Sequence, residues 1–165
     1  MRTALKTLAL TLALSTLAGA AAAADGVKSI GAGSFPISTS AAVPAGYQTI
    51  YISGLTPDPV APPVAGAAPN FGDTETQAES VFKKIEAALA AQGAAAGDVV
   101  SMHVYLVGDP AMGGKMDFGG MMKAYVRHFG NATQPNKPTR TTVQVASLVG
   151  PGQLVEIDCI AVKKP

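Results

Sequence analysis

Two periods of apolar residues organise the chain. Residues 98–107 (DVVSMHVYLV) alternate: Val100, Met102, Val104 and Leu106 fall on one side, Ser101, His103, Tyr105 and Val107 on the other. That is the period of two expected of a half-buried strand. Residues 47–53 (YQTIYIS) carry the Tyr, Thr and Ile enrichment of a strand and stop at Gly54. Residues 139–146 and 154–162 continue the alternation on either side of a Gly150-Pro151-Gly152 turn. Weaker β-prone stretches stand at 27–33 and 37–43, with Phe35-Pro36 between them and the turn Pro44-Ala45-Gly46 after them.

The second period is helical. Ala78, Val81, Phe82, Ile85, Ala88, Leu89 and Gln92 share one stripe, while Glu79, Lys83 and Glu86 face away, and Gly93 stands where a C-terminal glycine belongs. Thr74 and Gln77 predict a capping box at its start, with Asp73 as a competing N-cap. A second helix is expected from Asp117, with Phe118, Met121, Met122, Tyr125 and Phe129 inward and Gly130 closing it. The order β-β-β-α-β-α-β-β predicts an α+β domain, a mixed sheet with both helices on one face.

The first 24 residues stand outside that pattern. Arg2 and Lys6 precede a Leu/Ala-rich run at 7–17, and the alanines of 20–24 place small residues just before Asp25. This is the grammar of a secretory signal peptide cut between Ala24 and Asp25; a spanning helix would need ~20 apolar residues. The expectation is a domain of residues 25–165, periplasmic or secreted, with no membrane contact once the leader is gone. Residues 56–72 (TPDPVAPPVAGAAPNFG) form a long proline-rich loop, and 108–115 and 131–138 are further loops.

Charge narrows the function. The chain has 12 Lys and Arg against 11 Asp and Glu, and without Arg2 and Lys6 it is slightly acidic. Phosphate-backbone binding needs clustered positive charge, so nucleic acid is not an expected partner. The single cysteine cannot form an internal disulfide. Cys159 alternates with core positions and is expected to be buried and structural. His103 and His128 lie on different elements without ligand-spaced partners, so a metal site is not expected.

The candidate chemistry lies in the last two strands. Val155, Ile157, Cys159 and Ala161 form the expected helix-covered face, which leaves Glu156 and Asp158 on the open one. Arg140, Thr142 and Gln144 alternate with Thr141, Val143 and Val145. The short turn makes the two strands candidates for an antiparallel pair, which would bring Arg140, Thr142 and Gln144 beside Glu156 and Asp158 on the open face. A cross-strand ion pair with no function would account for the charges. Equally, a guanidinium can hold a carboxylate in two parallel bonds, and a glutamate can orient water. His103 and Tyr105 are candidate pocket residues on the same open side.

Residues 138–146 (PTRTTVQVA) followed by 154–162 (LVEIDCIAV) resemble the C-terminal signature of the RidA (YjgF-type) family. Ile52-Ser53-Gly54, the strand entry at 97–100, Asp117-Phe118, Tyr125 and Phe129 match as well. The resemblance implies a chorismate-mutase-like fold assembled as a homotrimer, with ligand clefts between subunits. It implies hydrolysis of an enamine or imine, such as 2-aminoacrylate, to a 2-keto acid and ammonia without metal or organic cofactor. Arg140 would bind the substrate carboxylate, Glu156 would orient water, and Gly54 and Thr142 would line the pocket together with Tyr125 and Ile37. The chain departs from the family at Thr142, where many members have cysteine, at Met122, where an asparagine is common, and at Phe35-Pro36-Ile37, near a missing early tyrosine. A non-catalytic binder of small carboxylates, or a scaffold on the same trimeric fold, is the competing reading.

Overall fold

The computed structural model describes residues 26–62 and 64–164; the expected leader, residues 1–24, lies outside them. Among the described residues, strands β1 (Lys28–Gly31), β2 (Ser38–Ala42) and β3 (Gln48–Leu55) precede helix α1 (Thr74–Ala91). Strand β4 (Val99–Val107), helix α2 (Phe118–His128) and strands β5 (Thr139–Val145) and β6 (Val155–Lys163) follow, in the predicted order. They form one sheet with strand order β1-β2-β5-β4-β6-β3.

The core lies between the sheet and the two helices. Met102, Val104 and Leu106 of β4, and Val155, Ile157, Cys159 and Ala161 of β6, face it and are buried, as the alternation predicts. α1 contributes Ala78, Val81, Phe82, Ile85 and Leu89, and α2 contributes Met121, Ala124 and Tyr125. Gln92 does not continue the α1 stripe; it is the exposed C-cap, and the chain turns away through Gly93 at φ 66°.

The start of α1 differs from the expected capping box. Asp73 is the N-cap, accepting from the Thr76 amide at 2.8 Å; hydrogen bonding from the Thr76 side chain first, and then from that amide, holds its carboxyl below the usual carboxylate range. Gln77 is instead fully buried and works at longer range. Its Nε2 donates to the Gly72 and Gly152 carbonyls at 3.0 and 3.1 Å, and its Oε1 accepts from the Leu154 amide at 2.7 Å. One side chain thus ties the Gly150–Gly152 turn to the N-terminus of α1.

That tie bears on the topology. β5 and β6 are not an antiparallel pair: β4 lies between them, parallel to β5 and antiparallel to β6. Residues 146–154 carry the chain past the C-terminal end of β4, and Gln77 holds the far end of that connection. A glycine-proline-glycine turn looks like a hairpin when read alone, but here its partners are a helix end and a loop.

The helices are clasped on their outer side. Arg127 donates to Glu75 at 2.8 Å and to Glu79 at 2.9 Å. His128 lies between Glu86 at 2.7 Å and Glu79 at 3.2 Å, against the Phe82 ring. Gly120 allows the close approach, because a Cβ there would meet the Asp117 carboxylate and the Glu75 amide.

Candidate functional site

The register separates the predicted site residues onto two faces. Met102 pairs with Arg140 and Val104 with Thr142 across β4 and β5, so these strand positions share the helix side of the sheet. His103 pairs with Asp158 and Tyr105 with Glu156 across β4 and β6, on the open side. The expectation that Arg140, Thr142 and Gln144 neighbour Glu156 and Asp158 on the open face is therefore wrong for one chain. The alternation holds for β5 around Arg140 and for β6 around Glu156, while at the start of β4 a register shift makes Val99, not Val100, the buried residue; the face of β5 was assigned from a pairing that does not form. Two strand spacings, about 10 Å, and the thickness of the sheet separate the two sets.

On the helix side, Arg140 is held in an aromatic cage. Its guanidinium carbon lies 4.3 Å from the Tyr125 ring centroid, 5.7 Å from Phe118 and 5.8 Å from Phe35. Nη1 donates to the Met122 thioether at 3.2 Å. Among the described residues no carboxylate pairs with it, and burial pulls its pKa below the ordinary value. Tyr125 is itself buried, and desolvation raises its pKa above the phenol range. Its hydroxyl donates to the Pro36 carbonyl at 2.8 Å, which fixes the segment carrying Phe35 and places Ile37 at the edge of the core. Two residues along β5, the Thr142 hydroxyl is buried without a hydrogen-bond partner. Gln144, next on that face, accepts from the Met116 amide and donates to Gly114, so it braces the loop before α2.

On the open side, the Glu156 carboxylate lies against Gly54, where any Cβ would collide with it. Gly54 sits in an irregularity of β3, between Ile52 paired with Cys159 and Leu55 paired with Ile157. Asp158 is engaged twice: His103 Nδ1 lies 2.8 Å from Oδ1, and the Tyr105 hydroxyl donates to Oδ2 at 3.1 Å. Desolvation, and then the bond to Asp158, raise the Tyr105 pKa. The open-side placement of all four residues agrees with the alternation; the bonds that join His103 and Tyr105 to Asp158 were not foreseen, and the spacing His-x-Tyr on one strand with Glu-x-Asp on its neighbour was their signal. The aromatic cage around Arg140 was missed too, because Phe35, Phe118 and Tyr125 are far apart in sequence.

Cys159 is buried in the core as expected, and desolvation pushes its thiol up to about 12. The larger concavities of the chain lie elsewhere, one between α1, Arg127 and the proline-rich loop and one between β3 and the end of α1. Neither touches Arg140.

A mixed six-stranded sheet with two helices on one face, and a caged guanidinium opening its fifth strand, define an α+β protein of the YjgF or chorismate-mutase-like fold. The chain belongs to the RidA (YjgF-type) family: the family model described as endoribonuclease L-PSP matches residues 38–163. The solved structure of Escherichia coli TdcF with bound serine is similar, with 30% identity over 74% of this chain and 85% of that chain and a TM-score of 0.55. So is the YjgF gene product of E. coli, with 30% identity over 74% of this chain and 85% of that one and a TM-score of 0.54. The Rid-family protein YyfB of Yersinia pestis shares the fold at 19% identity, over 78% of this chain and 87% of that chain, with a TM-score of 0.59. Comparison with curated proteins finds no match.

Proposed function

We propose that this chain is an exported, homotrimeric hydrolase of reactive 2-imino acids, releasing a 2-keto acid and ammonia. The observation that carries the reading is Arg140. A desolvated guanidinium without a carboxylate partner is costly, and an anionic ligand that completes it offsets that cost. The planar fork suits a carboxylate, which it can bind through two parallel N–H···O bonds. Thr142, with its hydroxyl unsatisfied on the same face, can add a third bond to the same ligand.

The reaction needs water at the imine carbon. Glu156 makes no hydrogen bond among the described residues and is pinned beside Gly54, so its oxygens are free to orient and deprotonate that water. Because Glu156 and Arg140 lie on opposite faces of one sheet, the complete site joins two subunits. Glu156 and Gly54 of one then face Arg140 and Thr142 of the next. The open face carries exposed Tyr51 and Val143, apolar groups that association would cover.

A second reading, a carboxylate-binding protein without turnover, draws on Met122, whose thioether takes one guanidinium N–H. A ribonuclease gains nothing from charge: the totals nearly balance, and Lys84 and Arg127 are already bound by carboxylates. One assay separates the first two. An amino-acid oxidase generates 2-imino acid in place, and the purified protein should accelerate its decay, with Arg140→Ala abolishing the effect in an intact trimer. Saturable keto-acid binding without acceleration establishes the binder. Sequencing the N-terminus of the exported protein should begin at Asp25.

A further inference from the structure

The open face carries a side-chain constellation beyond the water-orienting glutamate. Glu156 and Asp158 project from β6 on the same side, and their register partners on β4 are Tyr105 and His103. The four form a two-by-two block, with His103 and Glu156 on its diagonal, a separation of about 7–8 Å between Cα atoms that long side chains bridge. Asp158 is occupied at both oxygens, by His103 Nδ1 and the Tyr105 hydroxyl. An ionised carboxylate only accepts hydrogen bonds, so Nδ1 carries a hydrogen, and Nε2 is left without a hydrogen-bond partner among the described residues. The His103 side chain is 44% exposed and that of Asp158 27%, so the orienting acid is the more enclosed of the two.

This is the division of labour found where a carboxylate fixes an imidazole for proton transfer. We infer that His103 is the proton donor of the reaction and Asp158 the residue that positions it; the inference rests on the imine-hydrolase reading. Imine hydrolysis moves two protons in opposite directions, and a single glutamate serves one. As water attacks the imine carbon, a C–O bond forms and the water proton passes to Glu156. The C=N electron pair moves to nitrogen, which takes a proton from Nε2 of protonated His103, giving a carbinolamine. Glu156 then returns its proton to that nitrogen. The C–N bond breaks with its electrons on nitrogen, which leaves as ammonia. The hydroxyl proton goes to His103 Nε2 as the carbonyl forms. Both side chains end as they began.

Tyr105 has a supporting part. Its hydroxyl holds the second Asp158 oxygen, and its ring lies 6.4 Å from the imidazole centroid, limiting the rotation of both. The charged or titratable groups facing His103 are Asp158 and Glu156 from β6 and Tyr105 from its own strand; β5 presents Thr141 and Val143 opposite His103 and Tyr105.

The test uses the full exported protein and enzymatically generated 2-imino acid. His103→Ala should lower kcat by about 10²-fold, the usual reach of a single acid–base group, with KM for the imine little changed. Added imidazole should restore part of the rate to His103→Ala and none to Glu156→Ala. Asp158→Asn should lower kcat less and give no rescue. A trimer of unchanged thermal midpoint in His103→Gln, equally slow, separates chemistry from folding. If the wild-type protein is active and sensitive to Arg140→Ala while His103→Ala and His103→Gln turn over normally, this assignment is overturned and the hydrolase stands. If the wild type itself does not accelerate imine decay, both fall.

Discussion

The guanidinium of Arg140 stacks 4.3 Å from the ring of Tyr125 and meets no carboxylate among the described residues. A cation–π contact of this kind offsets part of the desolvation of the charge, by ~2 kcal/mol. The remainder is an energetic debt that persists in the absence of an anion. Arg140→Met should therefore leave the thermal midpoint unchanged or raise it, since an apolar side chain of similar length fits a cage of Phe35, Phe118, Met122 and Tyr125. The same change should weaken binding of a 2-keto acid, measured by calorimetry, by about 10²-fold for the loss of two charge-assisted bonds. A drop in both stability and affinity would mean that Arg140 is a structural brace.

Most of the fold could be read from periodicity, because strands and helices that bury one face must repeat at 2 and 3.6. The site could not, because it depends on which strands are neighbours. Val155, Ile157 and Cys159 announced the core by alternation alone. Arg140 announced its alternation but not its face, since the face follows from pairing with β4 rather than β6. The Gly150–Gly152 turn is short in sequence, and nothing local reveals that Gln77, some seventy residues earlier, holds it. Glu156 with Gly54, and His103 with Asp158, are likewise products of register.

Gln77 itself is a sharp test of that topology. Its amide satisfies the Gly72 and Gly152 carbonyls and the Leu154 amide from a fully buried position. Gln77→Ala leaves three backbone groups to find water or go unpaired, at ~1–3 kcal/mol for a buried unsatisfied group. Denaturant unfolding should report a loss of about 2–4 kcal/mol. Hydrogen exchange should rise first at residues 150–154. An effect confined to the first turn of α1 would restore a capping role.

Gly54 and Glu156 should be energetically coupled. A methyl group at residue 54 cannot coexist with the Glu156 carboxylate in its present place, and over-packing of this kind costs ~1–3 kcal/mol. Gly54→Ala is expected to destabilise the chain within that range and to slow imine turnover by displacing the carboxylate. Shortening the acid by one methylene, Glu156→Asp, should recover stability in the double variant but not turnover. Additive effects in the double-mutant cycle would show that the two residues do not touch.

Cys159 gives the chain an alkaline weakness whose sign follows from burial. Its thiol is raised from 9.0 to about 12 by desolvation first, with the Asp158 charge adding to it. The native state therefore keeps the proton over a window in which the unfolded chain has lost it. The stabilising contribution is complete below pH 9, and stability falls as pH rises from there toward 12, by ~1.4 kcal/mol per pH unit where the unfolded thiol is fully ionised. Cys159→Ala should be less stable at neutral pH, because a buried side chain is truncated, yet show a shallower decline above pH 9. Denaturant midpoints of both proteins between pH 7 and 11 measure the difference in slope. Parallel curves would mean that the thiol does not carry this dependence. In the same buried setting, iodoacetamide at pH 8 should label Cys159 only after unfolding.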